Sequence, residues 1–599
     1  MKQTIIQNYT NRVENFKKQK RELQKINNWI ALIRLMLFLV AGLVMYFLLN
    51  SGSYNLSVLV FVISFLVFLY LVKVHADYKN RKNHSQALIQ INENELKFQA
   101  GDLSPFESGK IYDEAEHPYI FDLDIFGQNS IYQLINRTTT SIGAKMLADW
   151  LKSPFLDQNT ILHNQAAAHE LGAKLDWRQN FQAYGQLWQE TLEEKEDLIA
   201  WLKEPTQIIQ KPLYKVILWV FPVIATICLA LVILGLLEIQ FLFLIAVIQL
   251  MIVSLHIKTL LRHSLQISKK TKLLRKYTQL FKQIENEEFK SDKLMHLQQK
   301  LLLDHTSAHK QLKNLSEIVN NMEQGGSFVG MIFNGLFLWS LQFLYRLEHW
   351  QLNCKDRLND WFEVAGAIDA LASIGNLHGN RPEYVFPEPI VGQFELEGEL
   401  VGHPLLSESI SVKNNILFSH TGQLWIITGA NMAGKSTYLR TIGVNLVLAM
   451  IGAPVCAQRF KFSPMEIYTS MRTRDSLQSN ESFFYAELKK LKKIIDQLNG
   501  QKTIFVILDE ILKGTNSLDQ HTGSKALIEQ LVKLGAVGLI ATHDLSLGEL
   551  ENIYPKNIQN KCFEIEIIDQ ELAFDYKLRD GINQNLNATF LMKKMGITV

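Results

Sequence analysis

The stretch whose reading decides the fold is WIITGANMAGKSTYLR, residues 425–440. It begins in an apolar run, 424–427, of the kind that forms a buried strand. It runs on into TYLRTIGVNLVLAM, whose apolar spacing is helical. Between the two, Gly429, Gly434, Lys435 and Ser436 fill every fixed position of G-x-x-x-x-G-K-[ST]. Strand, glycine-rich loop and helix in that order make a cradle for phosphate. Glycines let backbone N–H groups close around the oxygens, and the helix N-terminus adds partial positive charge. Gly429, Ala430, Asn431, Met432, Ala433, Gly434, Lys435, Ser436 and Thr437 are therefore the candidate residues for binding ATP. Lys435 is placed for the terminal phosphates and for catalysis, and Ser436 for Mg2+.

Two further strand ends carry chemistry. TIFVILDE, residues 503–510, is a β-rich run that ends in adjacent carboxylates. Asp509 can hold Mg2+ through water, and Glu510 can polarise an attacking water. A pair of acids at a strand end can also cap a helix, but after a phosphate loop the catalytic reading is the sharper one. GLIATHD ends another apolar run, and its His543 can hydrogen-bond the γ-phosphate or the attacking water.

The chain has 599 residues, too many for one compact core. Its 61 basic and 59 acidic residues nearly cancel, so no global field points to nucleic acid. Cys228, Cys354, Cys456 and Cys562 lie far apart. That spacing argues against a zinc site, a disulfide framework or a redox cofactor, and it fits a reducing compartment.

Apolar content is concentrated. A helical bilayer span needs about 20 apolar residues, and four stretches qualify: 29–49, 56–72, 216–237 and 239–257. They form two hairpins with short connections, NSGSYN and LEIQ, that hold no Lys or Arg. Basic residues crowd the other side, in 1–25, 73–82 and 258–276. This asymmetry predicts an integral protein of the inner (cytoplasmic) membrane whose hairpins enter from the cytoplasm. A fifth stretch, 326–345, would put the phosphate loop outside the cell if it crossed. It is expected instead to be a buried core helix or one lying on the membrane.

The predicted organisation is a basic N-terminus and first hairpin over 1–77, a helical segment over 78–213 and the second hairpin over 214–257. A helical region over 258–380 follows. At NRPEYVFPEPIVG prolines cluster and short β-rich runs begin to alternate with helices, so 381–599 is expected to be an α/β nucleotide-binding domain.

The motifs GHPLL, ITGANMAGKSTYLR, ILDEILKGTNSLDQ and LIATHDLSLGEL together resemble the ATPase domain of the MutS-type mismatch-repair proteins, within the ABC ATPases. The pair Asn431-Met432 is particular to MutS-like loops. The resemblance covers about 401–599 and extends to 122–157, which is similar to the start of the family's core (lever) domain. It implies a fold of a P-loop (ABC-type) α/β domain on an all-α lever, interrupted here by two transmembrane hairpins. It also implies a homodimer in which Ser482 completes the partner's ATP site, with Glu487 in the same segment and Gly514, Thr515 and Asp519 at the dimer seam. The family's function implies DNA binding and mismatch repair. Three positions depart from the pattern: Ser411 where an adenine-stacking aromatic is common, Asn480-Glu481 where a Gly-rich turn is common, and Leu512 where Gly is usual. Residues 1–100 read as a hairpin and its flanks, so they offer no counterpart to the family's mismatch-recognition domain. The expected function is a membrane-anchored, ATP-driven dimer switch. The alternative is an ABC-type transport or membrane-remodelling ATPase, disfavoured because LSGGQ is absent and the spans carry little mid-membrane polarity.

Overall fold

The computed structural model describes residues 2–114, 116–268, 270–302, 307–430, 432–472, 483–500, 502–513, 515–568 and 571–582. Among the described residues, helices fill the chain up to Asn380, and ten strands follow. Helices Lys2–Asn50 and Tyr54–Gln99 form a long antiparallel hairpin. At 49 residues the first is about 73 Å long, far more than a bilayer core of about 30 Å. The apolar tip of the hairpin is exposed, whereas its polar base is packed on the rest of the molecule.

That base is held by polar groups. Glu95 is buried and accepts from Arg137 Nε (2.6 Å), Asn376 Nδ2 (3.1 Å) and Asn380 Nδ2 (2.8 Å). Tyr9 donates to Asn380 Oδ1 (2.9 Å), and Arg12 donates to Gln179 and pairs with Asp176. One network thus fastens both arms of the hairpin to the end of helix Leu358–Asn380.

Helix Leu358–Asn380 is buried along most of its length and organises the helical part. Small residues let its neighbours close in. A Cβ on Gly366 would lie 2.5 Å from Ile142 Cγ2, and one on Gly375 2.8 Å from the Ala168 carbonyl. These contacts come from helices Ser141–Lys152 and Gln158–Ala173, which begin at caps Thr140 and Asp157. A second apolar cluster gathers helices between 142 and 372.

Three described helices are long and apolar enough to cross a membrane: Lys2–Asn50, Tyr54–Gln99 and Pro212–Ile233. The number is up to five if each of two bent pairs counts as one span: Ile239–Ser254 with Ile257–Ile267, bent by 59°, and Phe328–Phe337 with Trp339–Cys354, bent by 80°. The stretch 326–345 is thus not one core helix. It breaks at Leu338, where φ is 51°, and only its second half is buried among the helices.

The strands are β1 (Glu388–Pro389), β2 (Leu396–Val401), β3 (Asn414–Phe418), β4 (Leu424–Gly429), β5 (Arg459–Phe462), β6 (Glu466–Ser470), β7 (Ile504–Asp509), β8 (Val537–Thr542), β9 (Ile558–Ile568) and β10 (Glu571–Asp580). They make a four-stranded sheet, β1-β5-β2-β3, and a six-stranded sheet, β10-β9-β4-β8-β7-β6. In the larger sheet only β10 is antiparallel. Every residue of β4 and β8 is buried, as expected of a parallel sheet covered on both faces. One apolar core joins Leu123, Tyr132 and Ile374 to Ile442, Val447 and Phe505, so the segment around 122 packs directly on the α/β domain.

Replacing Glu95 by Ala strands the buried Arg137 guanidinium. We expect a loss of about 3–5 kcal/mol, read as a lowered unfolding midpoint of the detergent-purified protein. A loss below about 1 kcal/mol, the value of a surface pair, would show that this network does not hold the hairpin.

Candidate active site

Parallel pairing builds the site. In β4, β8 and β7, Thr428 lies opposite Thr542 and Asp509 opposite Ala541. The three strands therefore end at one edge of the sheet, and the residues after them emerge together. Open α/β sheets bind ligands at this edge.

The loop after β4 needs its glycines. Gly429 has φ 153° and Gly434 φ 107°. A Cβ on Gly429 would lie 2.9 Å from the Phe563 carbonyl oxygen, and one on Gly434 3.1 Å from the Tyr576 ring. Met432 is also left-handed, with φ 66°, and its side chain is exposed, while Ala433 is buried. Asn431 lies outside the described residues.

Lys435 opens helix Lys435–Met450 and is buried. Its Nζ donates to the carbonyls of Gly429 (2.6 Å) and Ala430 (3.1 Å) and lies 3.3 Å from His543 Nε2. Burial lowers its pKa, while Glu510 and Asp509 pull the other way. Ser436 Oγ donates to Asp509 Oδ2 at 2.5 Å. These two hard oxygens could hold Mg2+. Among the described residues no group of three or more His, Cys, Asp or Glu gathers to hold a metal. One carboxylate and one hydroxyl suit Mg2+, which keeps water and phosphate oxygens among its ligands.

Glu510 sits just beyond β7 with φ 52°, its N–H bonded to the Ala541 carbonyl at 2.9 Å. Its carboxylate lies 2.5 Å from His543 Nε2 on one oxygen and 2.5 Å from Lys513 Nζ on the other. The His543 hydrogen bond, followed by that of Lys513, holds the carboxyl at about 2 against burial. Because the folded value is depressed, the pair stabilises the fold above the ordinary carboxylate range. That contribution is lost as pH falls towards about 2. An ionised carboxylate here can polarise water.

Lys435, Ser436, Thr437 and Glu510 line one side of a cavity of about 700 Å³. Ile410, Ser411, Val412, Phe563, Tyr576 and His403 are among its other lining residues. Burial lowers the His403 pKa to about 4. Tyr576 was not singled out from the sequence. It stands at φ 53° where the β9–β10 register shifts between Phe574 and Leu578. Asn414 fixes this bulge, donating to the Tyr576 carbonyl (3.0 Å) and accepting from Leu578 N (2.8 Å). The available signal was the aromatic pair in FDYKLRDG. Ser411 lies in the same cavity, and its buried Oγ has no hydrogen-bond partner among the described residues.

Two supporting contacts did not show in the sequence, although Glu487 and Leu512 were each named there. Leu512 has φ 60°, a conformation that glycine adopts freely, and its N–H donates to Glu487 Oε1 at 2.6 Å. Burial raises the Glu487 pKa. Asp124 pairs with both Arg440, on the helix after the glycine loop, and Arg472, and Asp122 accepts from Met471 N and Arg472 N. Ser482, Asn480, Glu481 and Gly514 lie outside the described residues.

Fold and site together define an α/β domain with a glycine-loop cavity at the carboxyl edge of its parallel sheet. The model of MutS domain V matches residues 425–594. The DNA mismatch repair protein MutS of Thermotoga maritima is 30% identical over 246 residues, 41% of this chain and 30% of that one. The DNA mismatch repair protein MSH4 of Arabidopsis thaliana is 37% identical over 183 residues, 30% of this chain and 23% of that one. MutS protein homolog 4 of Homo sapiens is 34% identical over 251 residues, 40% of this chain and 25% of that one. Residues 425–594 thus form a domain similar to MutS domain V. The chain spans less than a third of the length of these relatives.

Glu487→Ala should leave the Leu512 N–H unpaired at a cost of about 1–3 kcal/mol. Hydrogen exchange of amides 510–513 should then speed roughly tenfold or more. Glu487→Gln keeps an acceptor and should restore most of the protection. Unchanged exchange in both variants would remove Glu487 from its supporting role.

Proposed function

We propose that this protein is a membrane-anchored ATPase of the MutS type, a dimer switch that passes nucleotide-driven motion to a helical lever. One observation carries the reading: Lys435, Ser436 and Glu510 line a single cavity, and close polar contacts bring Asp509 to Ser436 and His543 to both Lys435 and Glu510. The backbone N–H groups of the 429–434 loop bind the phosphates, and Lys435 exchanges its carbonyl partners for terminal phosphate oxygens. Ser436 and Asp509 would hold Mg2+, which when bound would neutralise phosphate charge. Glu510 orients and polarises the attacking water, and His543 hydrogen-bonds that water or the γ-phosphate. The nucleotide base would stack on Tyr576, in the cavity that Ile410 and Val412 also line.

In this reading two copies close around ATP, with Ser482 of one reaching the nucleotide of the other. ATP favours whichever pairing it contacts better, and hydrolysis releases it. The apolar hairpins hold the head at the cytoplasmic face, in keeping with their basic flanks. Duplex DNA is the partner carried over from relatives named for DNA mismatch repair.

Mg-dependent ATP hydrolysis by the detergent-purified protein tests this reading. Lys435→Ala should abolish turnover. Glu510→Gln should slow it about 10²–10⁴-fold, the usual worth of a general base, while ATP binding persists. Stimulation by duplex DNA supports the DNA arm. Turnover that survives Lys435→Ala would place the chemistry elsewhere.

A further inference from the structure

We propose that helix Phe328–Phe337 is embedded in the lipid beside the second hairpin, as a half-helix that ties the lever to the bilayer. The inference rests on reading helices Pro212–Ile233 and Ile239–Ser254 as membrane-inserted.

The half-helix, FVGMIFNGLF, carries no charge. Phe328 is 80% exposed, and Val329, Met331 and Ile332 are more than half exposed. A contiguous apolar face of this kind marks a surface that something covers. Its position says what covers it. The helix packs against both helices of the second hairpin. A Cβ on Gly335 would lie 3.3 Å from Ala246 Cβ. Ala246 precedes Ser254, the end of its helix nearest the basic 258–276 run, by eight residues, or about 12 Å of helix. Gly335 thus sits well inside a hydrocarbon layer about 30 Å thick. Phe243 and Val247, on the hairpin helix beside it, are exposed in the same way, so one apolar surface runs across both elements.

Ten residues span about 15 Å, half the layer, so the helix enters without crossing. Backbone at that depth must satisfy its own polar groups, and side chains of this segment take part in doing so at both of its ends. Ser327 Oγ accepts from Gly330 N at 3.0 Å. Asn334 Nδ2 donates to the Gly325 carbonyl (3.0 Å), and its Oδ1 accepts from Ser340 N (2.8 Å). Asn334 therefore bridges both sides of the 80° bend at Leu338. The chain then continues into helix Trp339–Cys354, whose buried Glu348 accepts N–H groups from Gln207, Ile208 and Ile209, just before the second hairpin begins. Hairpin and half-helix are thus clamped to the same lever helix.

The test is depth. In the full-length protein, with its four native cysteines replaced, nitroxides are placed through Phe328→Cys and Ile332→Cys. Ile227→Cys on the hairpin and the exposed Lys313→Cys serve as references. The protein is reconstituted in phosphatidylcholine–phosphatidylglycerol vesicles, and the collision of each label with oxygen and with a water-soluble nickel chelate is read by power saturation. Labels at 328 and 332 should match 227, with oxygen favoured and nickel accessibility lost. If 227 is in lipid while 328 and 332 collide with nickel like 313, the half-helix proposal fails and the anchor stands. Labels shielded from both reagents would mean a protein partner covers the face, which also overturns the proposal. If 227 itself meets nickel, the anchor fails and the half-helix with it. Because replacing buried cysteines can unfold the chain, benzoylphenylalanine at position 328 in the native background provides a second readout. A phospholipid adduct is expected, and its absence from a protein that cross-links lipid from position 227 would overturn the proposal.

Discussion

The register of three parallel strands is the constraint on which the rest depends. Backbone hydrogen bonds set Thr428 against Thr542 and Asp509 against Ala541. A one-residue slip would turn Asp509 away from Ser436 and send its neighbours to the wrong face. The same strands are buried on both sides, so the packing that stabilises the domain also fixes its chemistry. Stability and function are here two consequences of one pairing.

From that edge a physical route leads outward. Helix Lys435–Met450 begins at the glycine loop and carries Arg440, which shares Asp124 with Arg472. Leu123 meets the same helix so closely that a Cβ on Gly443 would lie 2.8 Å from its Cδ2. The segment around 122 is thus fixed to the helix that follows the glycine loop. Further out, helix Leu358–Asn380 receives the first hairpin through Glu95 and the neighbouring helices through its glycines. At the hairpin joint the charge, Glu95, is buried and hydrogen-bonded, whereas Asp124 at the inner joint is partly exposed and the close approach of Leu123 to Gly443 makes the tight contact.

Much of this was legible in the sequence, for identifiable reasons. The mixed α/β character after residue 381 showed in alternating short β-rich and helical runs. Lys435, Ser436, Asp509, Glu510 and His543 could be named because their residue types stand at the helix start after the glycine loop or at strand ends, and close polar contacts link Lys435 with His543, Ser436 with Asp509 and Glu510 with His543. Tyr576 could not. Its place depends on a β-bulge and on Asn414, 162 residues away. Glu487 beneath Leu512 and Asp124 between two arginines are likewise long-range contacts that no local period encodes. Hydropathy marked the stretch 326–345 but not its break, because the bend at Leu338 rests on Asn334 reaching Gly325 and Ser340. The first hairpin was read only over its apolar tip. Its helices run far past it, on a polar base whose burial comes from docking rather than composition.

Photolabelling tests the central claim most directly. Mg2+ and 2-azido-ATP are added to the full-length protein, and the modified peptide is identified by mass spectrometry. The account predicts that the label falls on the cavity wall at 410–412 or at Tyr576, and that unmodified ATP competes it away. A competable label on any other part of the chain, or none at all, would contradict it.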